Sequence, residues 1–542
     1  MFRAELKLFF VFGILFSFLS CRQHSNEKSK KIFRYNETTG ISSLDPIQAK
    51  NQANIWPIHQ LFNTLVEFDD SLQVKPALAS RWTISNYGRC YTFILRNDVF
   101  FHDDASFKNK TGKKRKLVAS DVAYSLYRLI DPQMASPGAW VLNELVDEKN
   151  PFTASNDSTF IINLKAPYSP LFGILSMPYC SVVPKEAVVY YGADFGRHPV
   201  GSGPFKFISW HPNQAITLTK NESYFERDEL NRKLPYLDGV QVLLLPNKSS
   251  EFLAFQQHKI DFLNDIDPSF KDELITKSGK LRNQWRDKIV MKKHPYINTE
   301  YLGFLNDNQS VSFLQNKNFR KAIYHAIDRK KMIFYLRNSI GTHANKGFVP
   351  EALNGFFKND LHIDPYNPSL SKFYLKKSGY LTTRETFEKI ILTTVPNYAV
   401  LGTFICSELN KVGINAQLEV MQKGLLLEQM SSQNISFFRG SWIGDFPDPL
   451  NYFSVFYGKN PAPPNYTRFK NQSYDKLFDR AVHTNDKSTR DSIFMALEQI
   501  LIDECPVIPL WYDQVLHFYQ PRVENLNPNV QNLLELRRVY LK

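Results

Sequence analysis

Strand-like and helix-like segments alternate in two separate runs, one before about residue 295 and one after it, and this restricts the fold more than any other feature of the sequence. In the first run, 32–36 reads as a strand, 54–68 as a helix, 240–245 as a strand, 250–258 as a helix and 260–263 as a strand. The second run repeats the pattern: 390–394 strand, 401–412 helix, 416–421 strand, helices at 475–481 and 491–503, and an aromatic strand at 506–519. Such alternation builds α/β layers, with helices covering a sheet. Two runs joined by few crossings, near residues 295 and 505, predict two lobes. Between them the segment from Asn318 reads as one amphipathic helix, apolar at Phe319, Ile323, Ile327 and Phe334, with its histidine and basic residues on the solvated face.

The chain has 542 residues, 43% of them apolar and 14% aromatic, enough to fill two or three cores and to exclude global disorder. Residues 1–20 combine a basic start, an apolar run and a small residue before Cys21, the pattern of a secretory signal with a lipoprotein-type end. The apolar run is shorter than the ~20 residues of a spanning helix. Cys21 is therefore expected to carry lipid, and the polar segment that follows, to residue 31, to act as a tether.

A formal charge of +13 would suggest nucleic acid in a cytosolic protein, but no nucleic-acid motif accompanies it and the export signal points elsewhere. Much of the excess sits in K-N-K-T-G-K-K-R-K at 108–116, which reads as a solvated loop first and a contact for anionic headgroups or a protein partner second. Cys90, Cys180, Cys406 and Cys505 lack C-x-x-C spacing and read as core residues. The G-S-G-P at 201–204 has no lysine after its glycines and no helix to receive an anion, so it reads as a turn rather than a phosphate loop.

The stretch 442–453, W-I-G-D-F-P-D-P-L-N-Y-F, places Asp445 and Asp448 among aromatics and beside Gly444, Pro447 and Pro449. Glycine and proline make this a rigid turn at a strand end, able to aim a carboxylate. A carboxylate between apolar walls is costly unless a cation meets it.

P-A-L-A-S-R-W at 76–82, Y-T-F-I-L-R-x-x-V-x-F-H-D at 91–103, A-S-D-V-A-Y-S-L at 119–126, P-V-G-S-G-P-F at 199–205, F-R-K-A-I-x-x-A-I-D-R-x-x-M-I at 319–333 and D-x-P-D-P at 445–449 occur in that order. Together they resemble the extracytoplasmic solute-binding proteins of peptide ABC importers, the oligopeptide- and dipeptide-binding family, from Ile32 to the C-terminus. The resemblance implies a two-lobed, hinged periplasmic-binding-protein fold of class II, with lobe I from 32–56, 188–295 and 507–542, an extra subdomain at 57–187, and lobe II from 296–506. It implies a monomer that binds short peptides outside the cytoplasmic membrane, without cofactor, nucleic acid or catalysis, and delivers them to an ABC permease.

By motif, Asp445 would accept the ligand's α-amino group, Trp442 would form a wall beside Gly444, and Arg439 would meet a peptide carboxylate. Ile41 and Ser42, in the glycine turn at 40–43, would offer backbone groups in the manner of strand addition. Arg439 and Asp445, six residues apart, would span ~20 Å of straight strand, whereas a tripeptide spans ~10 Å, so the turn must fold back to let both hold one short ligand. Asp104 stands where the family usually has glycine, the lysine-rich loop is an insertion, and near 395–398 there is no arginine of the kind dipeptide-binding members use.

Neither G-x-S-x-G nor H-E-x-x-H occurs, which leaves a peptide-processing enzyme, built on a constellation invisible in sequence, as the less favoured alternative, and His102, His198, His211 and His294 are too scattered to predict a metal site. Nickel chelates, haem and sugars remain as other cargoes of the same fold. A lipoprotein that senses without transport remains as another role.

Overall fold

The computed structural model describes residues 30–107, 114–306, 312–353, 355, 366–380 and 389–542. The signal-like segment, Cys21, the tether as far as residue 29 and most of the lysine-rich run lie outside these residues.

One large mixed sheet runs through the molecule and holds its two lobes together. From one edge its strands are Ala416–Val420, Ile390–Thr394, Phe437–Ile443, Val290–Phe304 and Val507–Tyr519, followed by Phe262–Asn264, Ile32–Asn36, Gly239–Leu243, Ala215–Lys220 and Phe205–His211. Two of them, Val290–Phe304 (β1) and Val507–Tyr519 (β2), are long enough to run from one lobe into the other as an antiparallel pair. Their register is continuous from Val290 opposite Tyr519 to Pro295 opposite Gln514, and resumes at Thr299 opposite Tyr512. Tyr296, Ile297 and Asn298 bulge out of the ladder between those points, which bends the pair and frees backbone groups for other partners.

In the second lobe, side chains of β1 alternate between two cores because successive residues of a strand face opposite sides. Leu302 and Phe304 join one core with Phe437, Ile508 and Leu510. Ile297 and Tyr301 join another with Phe438, Tyr452 and Phe453. In the first lobe a separate antiparallel sheet of Ala79–Ser85, Cys90–Leu95, Thr159–Asn163 and Phe152–Asn156 shares one core with the main sheet.

Several elements depart from the sequence-based expectation. The helix expected over 54–68 spans Gln52–Leu61, capped by Asn51, and the chain then forms a hairpin of Val66–Phe68 and Val74–Pro76. The helix expected from Asn318 is two helices, Lys317–Ala326 and Arg329–Arg337, because the Asp328 side chain accepts the Lys331 N–H and starts a new one. Its basic residues divide: Lys330 and Lys331 are exposed, but Arg320, His325 and Arg329 are buried, and Phe334 is exposed. Arg320 donates to the carbonyls of Glu504 and Cys505, satisfying the end of helix Lys487–Glu504. Cys180, Cys406 and Cys505 are buried free thiols, and Cys90 is half-buried. Among the described residues no helix is long and apolar enough to cross a membrane.

Candidate functional site

The bulge in β1 builds one side of the site. With its ladder partner lost, Ile297 donates its N–H to the Val530 carbonyl at 2.9 Å. Its carbonyl accepts the Gly444 N–H at 2.9 Å and the Tyr452 hydroxyl at 2.6 Å. Strand Phe437–Ile443 (β3), antiparallel to β1, therefore delivers the turn at Gly444 and Asp445 directly beside the bulge. The Tyr452 hydroxyl lies 2.9 Å from where a Cβ on Gly444 would sit, so the close approach needs glycine there.

Between the lobes is a cavity of about 980 Å³. Gly444 and Asp445 meet Tyr296 there from the second-lobe side and the bulge, while Trp140, Tyr179 and the 66–76 hairpin face them from the first lobe. Asp445 keeps contact with solvent inside the cavity, yet the enclosing walls desolvate it and raise its carboxyl above the ordinary aspartate range, opposed by a hydrogen bond from Asn451. Burial, with the Asp445 charge adding to it, pushes the Tyr179 hydroxyl up to about 12. No lysine, arginine or histidine nitrogen among the described residues lies within ion-pair distance of Asp445. It is a carboxylate held in a cleft with the position of its counter-cation left open.

Its orientation is set from behind. The Trp442 indole N–H donates to Asn451 Oδ1 at 3.0 Å, the same oxygen accepts the Asp445 N–H at 3.4 Å, and Asn451 Nδ2 donates to Asp445 Oδ2 at 3.4 Å. Trp442 is thus a support acting through Asn451 and does not line the cavity, which corrects the expectation of a wall. Asn451 lies six residues beyond Asp445 in the sequence, with nothing there to mark it as a positioning group.

Arg439, Ile41 and Ser42 also lie away from the cavity wall, and Asp448 holds the turn. Arg439 shares its face of β3 with Ser441 and Ile443 but lies outside the cavity wall; its guanidinium is paired with buried Glu300 and stacked 3.5 Å over the Tyr398 ring. A guanidinium already matched in this way is not poised for a ligand carboxylate. The Ile41 side chain packs into the first-lobe core, and the Ser42 N–H is taken by Asn54 Oδ1 at 3.2 Å, so neither faces the cavity. Asp448 accepts the Leu450 N–H and pairs with Arg490 at 2.9 Å, anchoring the turn to helix Lys487–Glu504.

The sequence held no sign of the opposite wall. Arg537, 5% exposed, meets Glu67 at 2.8 Å, Glu226 at 2.8 Å and Glu535 at 2.6 Å. Burial alone would raise Glu535, but Arg537 and His59 hold it well below the usual carboxylate range. These groups are scattered over 470 residues and meet only in the fold. Among the described residues no group of three or more His, Cys, Asp and Glu is placed to hold a metal ion.

The chain matches the family model for bacterial extracellular solute-binding proteins, family 5, over residues 73–464. It is 23% identical to the dipeptide-binding protein DppE of Bacillus subtilis, covering 97% of this chain and 96% of that one. It is 25% identical to the heme-binding protein A of Haemophilus influenzae, covering 86% and 84%. The solved structure of the periplasmic binding protein DppA from Helicobacter pylori in complex with the peptide STSA superposes with a TM-score of 0.73 at 24% identity, covering 94% of this chain and 98% of that one. With more than half its length matched by the family model, the chain belongs to the family 5 bacterial extracellular solute-binding proteins.

Proposed function

We propose that this protein binds short peptides between its lobes, outside the cytoplasmic membrane, and delivers them to an ABC permease. The observation that carries the reading is Asp445, an unpaired carboxylate held by Asn451 in a cavity of about 980 Å³ that has room for a tripeptide-sized ligand. An α-ammonium supplies the missing charge. The exposed Ser441 and Ile443 at the end of β3 support contact with an extended chain. Relatives named as dipeptide-, oligopeptide- and di/tripeptide-binding proteins support the peptide reading, with the haem named for the Haemophilus relative as the alternative cargo. Membership of a family of solute-binding proteins supports recognition without reaction. The division into lobe I, subdomain 57–187 and lobe II at 295 and 506, the monomeric state and the lipid anchor at Cys21 belong to the same proposal.

The test is a double cycle. Asp445→Ala should weaken binding of Ala-Ala-Ala by roughly 30- to 5,000-fold, since truncating one partner of a buried charge pair costs about 2–5 kcal/mol. N-acetylating the peptide should reproduce that loss in the native protein and add little in the variant. Calorimetry on the four combinations reads the coupling. Additive losses would remove Asp445 as the reader of the amino terminus.

A further inference from the structure

The cavity wall carries three more carboxylates than lysines and arginines together, in a chain whose formal charge is +13. Four of those carboxylates are matched within the wall. Arg537 serves Glu226, Glu535 and Glu67, Lys75 lies 3.3 Å from Glu67, and Arg538 lies 2.7 Å from Glu229. Three are not: Asp445, and Asp69 and Asp70 at the tip of the 66–76 hairpin. Asp69 is turned to its own loop, accepting the N–H groups of Ser71 and Gln73 at 2.9 Å. Asp70 is exposed and makes no ion pair among the described residues. On the cationic side Lys50 alone is unmatched among the described residues.

A second observation points the same way. Trp140 lines the cavity while 53% exposed, so an indole face stands open in the chamber that holds the unmatched acids. A cation gains from an aromatic face and from a carboxylate, whereas an anion gains from neither. Low-dielectric walls lined by one sign of charge focus the field into the space between them.

Resting on the reading of the cavity as a peptide site, we propose that the preferred ligand carries a second positive charge besides its amino terminus, a lysine- or arginine-containing peptide whose side chain is received by Asp70 and Trp140. Arg439, the guanidinium expected to meet an acidic group, is already matched by Glu300, so the site is built without a spare arginine for an acidic side chain.

Titration calorimetry on the mature chain with Ala-Lys-Ala, Ala-Ala-Ala, Ala-Glu-Ala and 1,5-diaminopentane tests this. Ala-Lys-Ala should bind about tenfold or more tighter than Ala-Ala-Ala, with Ala-Glu-Ala weaker than both. Asp70→Asn, at an exposed turn position, should move the ratio of the first two toward one. Equal affinity for the three tripeptides, or an Asp70→Asn protein that keeps the full ratio, overturns the inference. If 1,5-diaminopentane binds and no tripeptide does, the double-cation preference stands and the peptide reading falls. If none of the four binds, both fall.

Discussion

At the scale of single residues, the chemistry of Asp445 follows from where its charge is missing a partner. Enclosure raises its carboxyl above the ordinary aspartate range, so in the free protein it takes up a proton at a higher pH than an aspartate in water. A ligand ammonium needs the ionised form. Affinity for Ala-Ala-Ala is therefore expected to be full at neutral pH and to fall as pH drops through that raised value, with proton release accompanying binding in the same window. Calorimetry in two buffers of different ionisation enthalpy between about pH 4 and about pH 8 checks both, an ordinary aspartate titrating near about 3.9. For stability the sign is opposite. A carboxyl with a raised folded value contributes most below its unfolded value and loses that contribution as pH rises through the folded one, so Asp445→Asn should not lower the melting temperature of the ligand-free protein at neutral pH. Equal affinity of the native protein for the peptide at acid and neutral pH would contradict the charge pairing.

Among the elements, the turn after β3 does two jobs with adjacent residues. Asp445 faces the cavity, while Phe446, 3% exposed, belongs to the core of the first lobe. Its ring lies 2.7 Å from where a Cβ on Gly173 would sit, in helix Leu171–Leu175. The same seam holds a hydrogen bond from the Ser169 N–H to the Val482 carbonyl at 3.1 Å. The lobes are thus in contact at a socket beside Asp445, and lobe closure is expected to seat Phe446 as it presents Asp445. Gly173→Leu should obstruct that socket without touching the ligand. Overpacking costs about 1–3 kcal/mol, so peptide affinity should fall roughly 5- to 150-fold. Small-angle scattering should show a smaller contraction on adding peptide than in the native protein. Native contraction with native affinity would mean that Phe446 is seated independently of closure.

For the whole molecule, two strands carry the connection. β1 and β2 pass from lobe to lobe as a bonded pair, interrupted where Tyr296, Ile297 and Asn298 leave the ladder and shifted again between Glu300 and Tyr301, where Leu510 is skipped. Bends at two neighbouring irregularities of one strand pair let two rigid cores move relative to each other with secondary structure unchanged. The folded body is expected to work while tied to a membrane through Cys21 and its tether. Cys21→Ser should release the protein from the membrane fraction, and a variant that stays bound after carbonate washing would point to a retained helix.

The sequence by itself determined the elements and their class. Period-2 and period-3.6 patterns are local, and so are the turn residues of D-F-P-D-P, which is why the two α/β runs and the turn after strand 437–443 are legible in the sequence. It misjudged places where a local pattern was overruled from a distance. Arg320 looked solvent-facing on its helix and instead closes the end of another helix, at Glu504 and Cys505. Arg439 looked free and is consumed by Glu300, which β1 places across from β3. Only the tertiary structure decided the cavity: which carboxylates are matched, which stand open, and that Trp442 acts through Asn451. The physical reason is that charge pairing and desolvation depend on distances between residues far apart in the chain, as between Arg537 and Glu67, and no local pattern encodes those distances.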